Sequence, residues 1–400
     1  MKPQRYQLRK DAVAVLERGH PWIFRDQLSS AAQVFPDGQW LRLVDGQNKI
    51  VGHGIFEAEG AIAIRVFRTG PEPVDASWIR GRLEVALGKR ADLAKRTDGI
   101  RLVHGESDGL PAIVVDRFAN TLVVASYSAG ADAIARYVAR TLAAIGNTVP
   151  AEPPSAARLV VGPAEHVVLR PARRRRGPAL AARILRGAPP DVVRFTEDGM
   201  QLAVDLEAGH KTGTYLDLRA LRGAIATTKL AGARVLNLFA YTGMLGRAAE
   251  TAGAAEIIQV DTSERALAFA AAHHVGDPAR HRFIIADVFE WLPALDPSET
   301  FDLVIVDPPA MTSRMTQVPS VLAAYRRLYR AAERHVRPGG AIVAACCTSR
   351  IERDVFKKTV LASLGPRFAL QHEEKPEPDH PVGFPQADYL KITWWQSRAD

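Results

Sequence analysis

Cysteine is scarce in this sequence: the 400 residues contain two, and these are the neighbours Cys346 and Cys347. Two cysteines cannot build a disulfide framework, and adjacent cysteines rarely pair with each other. The scarcity therefore excludes the disulfide-rich secreted proteins and indicates a reducing compartment. It also raises the question of why both thiols stand at one point of the chain.

Long hydrophobic runs are missing as well. No stretch approaches the roughly 18 apolar residues of a membrane helix, and residues 1–20 have no apolar core of the kind found in signal peptides. We therefore expect a cytoplasmic protein with no membrane partner. No metal site is predicted from the sequence.

The composition is that of a globular chain, with 47% hydrophobic and 24% charged residues. A length of 400 residues exceeds one ordinary core, so two or three domains are expected. The formal net charge of +8 favours a polyanionic partner such as nucleic acid, although many basic proteins bind none.

The pattern changes twice along the chain. Residues 1–75 alternate short apolar runs with turns such as Asp45-Gly46, which predicts a small antiparallel barrel. Residues 76–190 mix strand patterns with helical ones, at 78–93 and 131–145, and end in a basic, proline- and glycine-rich linker. Residues 191–400 alternate near-continuous apolar strands with helices, which predicts a parallel sheet covered on both faces.

The ends of these apolar strands carry candidates for a cofactor site, because ligands of parallel sheets bind beyond the carboxyl ends of the strands. The first strand ends in the run 237–243, NLFAYTG, whose glycine lets the backbone approach a ligand. The second ends at Asp261, suited to ribose hydroxyls, and the third at Asp287, placed to reach an adenine amino group. No G-x-G-x-x-G follows the first strand, which disfavours a dinucleotide and favours S-adenosylmethionine. Each acid is equally compatible with a helix cap.

The fourth strand ends in Asp307, followed by Pro308, Pro309 and Ala310. A proline cannot donate to a sheet ladder, so the pair ends the strand and forms either a stiff floor for a site or a plain rigid turn. In amino-group methyltransferases, Asp/Asn-Pro-Pro and an aromatic residue hold a flipped base. The aromatic residue is missing here.

Seven segments, in this order, resemble the 23S ribosomal RNA cytosine-C5 methyltransferase family with an N-terminal PUA domain. The resemblance covers nearly the whole chain, and its specificity comes from the segments together. The segments are 18–24, 102–118, 188–205, 209–219, 235–243, 307–310 and 380–391.

The resemblance implies an RNA-binding PUA domain at 1–75, an α+β connecting domain at 76–190, and a Rossmann-like seven-stranded class I methyltransferase domain at 191–400. It implies S-adenosylmethionine as the cofactor and ribosomal RNA as the substrate, with the segment 211–219 over the cofactor. The candidate cofactor-binding residues are Lys211, Thr212, Tyr215, Asp217, Arg219, Asn237, Phe239, Tyr241, Thr242, Gly243, Asp261, Asp287 and Asp307.

The resemblance also assigns different roles to the two cysteines. Cys347 aligns with the family's cysteine, which implies that it is the nucleophile that attacks cytosine C6. Asp307 is expected to hydrogen-bond the same cytosine. Cys346, where the family has serine, is expected to pack, since neighbours on a strand point opposite ways. Without the resemblance, both cysteines are more readily interpreted as structural. The family's Thr-Gly-Gly-Phe is also replaced here, by Thr-Gly-Met-Leu at 242–245.

Basic residues supply candidate contacts to RNA phosphates, in Arg5, Arg9 and Lys10 and in the run Arg173, Arg174, Arg175 and Arg176. A solvated surface is the alternative for both groups. A structured RNA is expected to present its cytosine unstacked or flipped. The oligomeric state is left open, a homodimer included.

Two other functions compete with C5 methylation. One is methylation of an RNA nitrogen, such as guanine N7 or an exocyclic amine, on the same scaffold, which needs no cysteine. The other is an RNA-binding or ribosome assembly factor without turnover, against which the acids at the strand ends argue.

Overall fold

The structure is a computed structural model that describes residues 3–29, 35–147, 156–171, 181–207, 212–312 and 314–399. The chain folds into two compact units. The first comprises residues 1–199, 204–216 and 378–384, and the second comprises 200–203, 217–377 and 385–400. Within the described ranges, none of the helices is long and apolar enough to cross a membrane.

A five-stranded sheet opens the first unit. Its strands are β1 (Gln4–Gln7), β2 (Trp22–Phe24), β3 (Trp40–Val44), β4 (Ile50–Phe56) and β5 (Ile62–Thr69), with α1 (Lys10–Glu17) after β1. The order is β1-β3-β4-β5-β2, and all pairs are antiparallel except β1 with β3. The Asp45-Gly46 turn lies between β3 and β4, where Asp45 Oδ1 accepts hydrogen bonds of 2.9 Å from the backbone N–H groups of Gln47 and Lys49.

A second five-stranded sheet follows in the same unit. Its strands are β6 (Gly99–His104), β7 (Ile113–Phe118), β8 (Thr121–Ser126), β9 (His166–Arg170) and β10 (Arg183–Arg186), in the order β10-β9-β8-β7-β6. Its helices are α2 (Ala76–Gly88), α3 (Asp132–Gly146) and α4 (Ala156–Val161). The strands β11 (Val192–Glu197) and β12 (Met200–Asp205) come next in the chain.

The helix predicted at 78–93 is shorter than expected. Helix α2 ends at Gly88, and Leu93 begins a separate 3-10 turn. The reason is Arg90, whose fully buried guanidinium donates to the carbonyl of Arg101 (2.8 Å) and pairs with Asp108 (2.6 Å). These contacts hold Arg90 inside the unit and turn the chain after α2.

A segment close to the end of the sequence completes the first unit. The Asp379 carboxylate accepts a hydrogen bond of 3.1 Å from the backbone N–H of Arg101, and its carbonyl accepts one of 3.2 Å from Arg90. The ring of Phe384 packs edge-on against Trp22, with 4.8 Å between centroids. Residues 378–384 are therefore fixed to the first unit.

The second unit is built on a seven-stranded sheet. Its strands are β13 (Arg234–Leu238), β14 (Glu256–Asp261), β15 (His281–Ile285), β16 (Phe301–Val306), β17 (Val336–Cys346), β18 (Phe368–Glu373) and β19 (Lys391–Ser397). The order is β15-β14-β13-β16-β17-β19-β18, with β19 antiparallel to both neighbours and the other pairs parallel. This is the predicted fold class.

Six helices accompany that sheet. They are α5 (Arg219–Thr227), α6 (Met244–Thr251), α7 (Glu264–His273), α8 (Val288–Ala294), α9 (Val318–Glu333) and α10 (Arg353–Leu361). On one face, Tyr325 and Tyr329 of α9 pack with Phe356 of α10 in a core that also contains Cys346. The alternation of apolar strands and amphipathic helices produces this layering because the central strands β13, β14 and β16 are buried on both faces. The edge strands β15 and β18 are more exposed.

Candidate active site

The seven-stranded sheet reverses its strand order at β13. Strand β13 pairs with β14 on one side and with β16 on the other, so the connections leave in opposite directions. Crevices for ligands form at such switch points, beyond the carboxyl ends of the strands. The loops after Leu238 and Val306 therefore frame the candidate site.

The loop after β13 has a strained backbone. Phe239 has φ +60° and Tyr241 has φ +48°, in the left-handed region that residues with a side chain rarely adopt. Each such residue costs roughly 1–3 kcal/mol, and such strain clusters at functional sites. The backbone N–H of Ala240 donates to the Val260 carbonyl (3.0 Å), and that of Tyr241 donates to Asp261 Oδ2 (2.8 Å). These bonds to β14 hold the loop in its shape.

Gly243 ends this loop at φ +72°. A Cβ here would lie 2.8 Å from both the Gln259 side-chain oxygen and Ala270 Cβ, so the loop packs closer to β14 and α7 than another residue allows. Asn237 Nδ2 donates to the same Gln259 oxygen at 3.2 Å. The buried Asn237 Oδ1 accepts no hydrogen bond from the described residues, which leaves one acceptor for a ligand.

The two predicted acids at the next strand ends differ. Asp261, half-buried, accepts through Oδ1 from the Ser263 N–H (2.8 Å) and through Oδ2 from Tyr241, which leaves further lone pairs on each oxygen. The cap of α7 is Ser263 rather than Asp261, so the cap alternative is wrong for Asp261. Asp287 does cap α8, with Oδ1 accepting from the Phe289 N–H at 2.8 Å.

His274 is a component of this region that the sequence did not reveal. Its ring is buried, and Nε2 accepts a hydrogen bond of 2.9 Å from the backbone N–H of Ala203. Nδ1 faces the carbonyl of Thr242, which can only accept, so in the neutral ring the proton is on Nδ1, although Nε2 also lies 3.1 Å from the carbonyl oxygen of Ala203. Burial lowers the pKa of His274 to about 4. A neutral histidine thus fixes the backbone of the loop after β13.

The loops after β16 and β17 bring Asp307, Pro308 and Cys347 together. Cys346 is the last residue of β17 and is fully buried in the core, whereas Cys347 is partly exposed. Cys347 Sγ lies 3.6 Å from the carbonyl oxygen of Pro308, the residue after Asp307. A partly exposed thiol thus stands beside the Asp-Pro-Pro segment at the switch-point edge.

The remaining predicted cofactor residues are distributed over both units. Asp217 accepts a hydrogen bond of 2.5 Å from the Tyr389 hydroxyl, and Arg219 is fully buried. Thr212 and Tyr215 belong to the first unit, where the Thr212 hydroxyl hydrogen-bonds to the Asp116 carboxylate. Lys211 lies outside the described residues.

The predicted RNA-binding residues Arg5, Arg9 and Lys10 are exposed. Arg5 donates to Asn48 (2.6 Å), and Arg9 forms an ion pair of 3.3 Å with Asp11. The run Arg173–Arg176 lies outside the described residues.

Helix α9 has a basic face that was not predicted from the sequence. Arg326, Arg327 and Arg330 are exposed, as is Arg334 just after the helix, and none forms an ion pair within the described ranges. Their spacing places them on one side of the helix. Like charges four residues apart destabilise a helix by roughly 0.2–0.5 kcal/mol. The signal in the sequence was the helical spacing of these arginines opposite the apolar positions of α9.

Comparison with known proteins supplies two matching families. Residues 100–391 match the model described as S-adenosylmethionine-dependent methyltransferase. Residues 7–69 match a PUA-like domain.

Curated relatives match over almost the whole chain. A ribosomal RNA large subunit methyltransferase from Deinococcus radiodurans is 31% identical over 98% of this chain and 97% of its own length. Ribosomal RNA large subunit methyltransferase I from Serratia proteamaculans is 34% identical over 94% of this chain and 95% of its own.

A solved structure from Streptococcus mutans, described as a SAM-dependent methyltransferase, has the same fold. Its TM-score is 0.81 at 21% identity, and the match covers 98% of this chain and 99% of that chain. A second solved structure, SMU.776 in complex with SAH, has a TM-score of 0.80 at 22% identity over 98% of this chain and 99% of that chain.

Proposed function

The chain belongs to the S-adenosylmethionine-dependent methyltransferase family, and from that premise we propose that it methylates C5 of a cytosine in 23S ribosomal RNA. The observation that carries this proposal is the 3.6 Å approach of Cys347 Sγ to the Pro308 carbonyl. This approach puts the partly exposed thiol beside the Asp307 loop, where the target cytosine would meet the methyl group of the cofactor. The curated relatives, which are ribosomal RNA large subunit methyltransferases, support the choice of RNA.

We propose that the cofactor lies along the carboxyl ends of β13, β14 and β15. The unpaired Asn237 Oδ1 and the remaining lone pairs of Asp261 fit its polar groups. The loop 239–243 would lie against it, and Asp287 would face the adenine with the oxygen that does not cap α8. The cofactor supplies an electrophilic methyl group when it is bound.

Cys347 makes cytosine C5 reactive in this proposal. Its thiolate forms a bond to C6, and the electron pair of the C5–C6 double bond then takes the methyl group at C5. The C5 proton leaves to a base or to water, and the electrons of the C5–H bond restore the double bond as the C6–S bond breaks. Asp307 would hydrogen-bond the base and favour attack at C6.

The three predicted segments enter this proposal as domains. Residues 1–75 would bind RNA and residues 191–400 would catalyse methyl transfer. Residues 76–190 would form the domain that connects these two. The match of 7–69 to a PUA-like domain supports the first of these. The cytosine would have to be unstacked or flipped to reach Cys347.

The chemistry is tested in cells. Nucleosides from 23S ribosomal RNA of strains with and without the gene are compared by mass spectrometry, and we expect 5-methylcytidine to be lost at one position without the gene. Loss of a methylated guanine or of an N-methylated base instead would replace C5 chemistry with nitrogen methylation, the competing proposal.

Asp261→Ala is expected to weaken binding of S-adenosylmethionine by about 1.5–3 kcal/mol, or roughly ten- to hundredfold. The substitution removes an acceptor for the ribose and the bond that holds Tyr241 in its strained conformation. Calorimetry measures the affinity. Asp277→Ala, which removes an acid that bonds Ala279 and Arg280 in the same unit, serves as the control and should leave the affinity unchanged. Equal affinity of the Asp261 variant and wild type would remove Asp261 from the cofactor site.

The basic face of α9 is proposed to contact RNA phosphates. Arg326→Gln with Arg330→Gln is expected to weaken RNA binding and to flatten the slope of log affinity against log salt by up to about 1.8, or 0.9 per phosphate contact. Filter binding of 23S ribosomal RNA at several salt concentrations measures the slope. Lys229→Gln with Arg282→Gln removes two exposed cations elsewhere in the second unit and is the matched control. Equal slopes in the two double variants would make the α9 face a solvated surface.

A further inference from the structure

Lys391 is a fully buried lysine at the start of β19. Its ammonium donates to the carbonyl of Thr348 (3.0 Å) and to that of Tyr389 (2.8 Å), and it forms no ion pair within the described residues. Burying an ammonium is unfavourable, and hydrogen bonds to carbonyl groups offset only part of that cost. Such a group is costly for stability, so its position is informative.

That position is beside the two thiols. The register of β17 with β19 pairs Cys346 with Lys391, and the Thr348 carbonyl belongs to the residue after Cys347. Burial lowers the pKa of Lys391, while the charges of Cys346, Asp388 and Cys347 act to raise it. The ammonium therefore lies across the strand pair from Cys346 and beside the backbone of the residue that follows Cys347.

We propose that Lys391 is a positioning residue that stabilises the thiolate of Cys347 and fixes the backbone that presents it. This inference rests on the proposed role of Cys347 as the nucleophile. The thiolate is the form that attacks, and a nearby cation favours it. The thiol proton passes to solvent, and the ammonium offsets the charge that remains on sulfur.

Among the described residues, the groups that act on these thiols' neighbours and on Lys391 bring no unpaired positive charge of their own. Tyr325 and Tyr329 face the thiols from α9, and burial raises the pKa of each phenol, so both are neutral. Asp307, after β16, is an acid whose ionised form opposes a thiolate. Arg353 of α10 pairs with Asp388 at 2.6 Å and with Glu373 at 3.3 Å, which largely neutralises its charge.

Thiol ionisation is measured directly by the rate of iodoacetamide alkylation against pH in a Cys346→Ala background, where Cys347 is the one remaining cysteine. Lys391→Gln keeps donors for the two carbonyls but loses the charge, Lys391→Met loses both, and Lys391→Arg keeps the charge. We expect the Gln and Met variants to move the midpoint of the profile to higher pH by one unit or more. Alkylation at pH 7 then slows about tenfold, since one unit corresponds to a tenfold change in thiolate. The Arg variant should stay near the parent protein.

If the parent protein and its Lys391→Gln variant show the same dependence of alkylation rate on pH, the proposal is overturned. Circular dichroism and the affinity for S-adenosylmethionine identify variants that do not fold. If every substitution unfolds the protein, the parent alone decides: a midpoint at or above the roughly 8.5 of an ordinary thiol overturns the proposal, and a lower midpoint supports it. The assay needs no methyl transfer, so it is independent of whether Cys347→Ala retains methylation, which tests the proposed function.

Discussion

Cys347→Ala should lower methylation of 23S ribosomal RNA by about a thousandfold or more, with little change in the binding of cofactor or RNA. In the proposed mechanism the thiolate contributes to the chemical step and not to docking, so its loss should lower kcat. Single-turnover assays with labelled S-adenosylmethionine measure methyl transfer, and calorimetry measures cofactor binding. The matched control is Cys346→Ala, which removes the neighbouring thiol from the core and should keep methylation.

The same prediction has a covalent readout. RNA with 5-fluorocytosine at the target should stay attached to the wild-type protein, because fluorine at C5 cannot leave as a proton does. A denaturing gel shows the adduct, and peptide mapping assigns it to a cysteine. Attachment through Cys346 would reverse the roles given to the two thiols. Full activity of Cys347→Ala without an adduct would exclude the C5 mechanism in favour of nitrogen methylation.

Much of the fold could be predicted because the central strands of the second unit, β13, β14 and β16, are buried on both faces and form apolar runs in the sequence. The α/β fold class, the N-terminal PUA-like domain, the methyltransferase activity and S-adenosylmethionine as cofactor are confirmed. The end of α2 was wrong because it depends on Arg90, whose partner Asp108 is 18 residues away in the chain. A local pattern does not contain such a contact.

The position of a candidate residue was predictable where that residue ends a strand, whereas its role stays a prediction. Asp261 and Cys347 lie at the carboxyl ends of their strands, where the pattern put them. Phe239, Tyr241, Thr242 and Gly243 were all predicted as cofactor-binding residues, but the left-handed backbone of Phe239 and Tyr241 carries no sequence signal. Lys391 lies in the segment 380–391 that carries the family resemblance, but no role was predicted for it, because its burial depends on the pairing of β19 with β17.

His274 was not predictable because its partners, Ala203 and Thr242, are 71 and 32 residues distant. A histidine in a helical pattern is more often at the surface. Here the ring connects β12 to the loop after β13 and is neutral, since one nitrogen accepts and the other donates. The loop after β13 is therefore held in part by a histidine that must stay neutral to keep both contacts.

Acidification should for this reason destabilise the protein between pH 6.5 and 4. The pKa of His274 is about 4 in the folded protein, against 6.5 for an ordinary histidine. As the pH falls through 6.5 the unfolded chain binds a proton that the folded chain does not, so the stability present above pH 6.5 is lost progressively until about pH 4. The difference of about two and a half pKa units between the unfolded and folded states corresponds to about 3 kcal/mol of unfolding free energy. Urea unfolding at a series of pH values measures this loss, and His274→Gln should show a curve shallower by that amount. His372→Gln removes an exposed histidine of the same unit, with 49% of its side chain accessible, and is the control. If wild type and His274→Gln lose stability in parallel, the histidine does not carry the neutral, loop-fixing role that its contacts with Ala203 and Thr242 indicate.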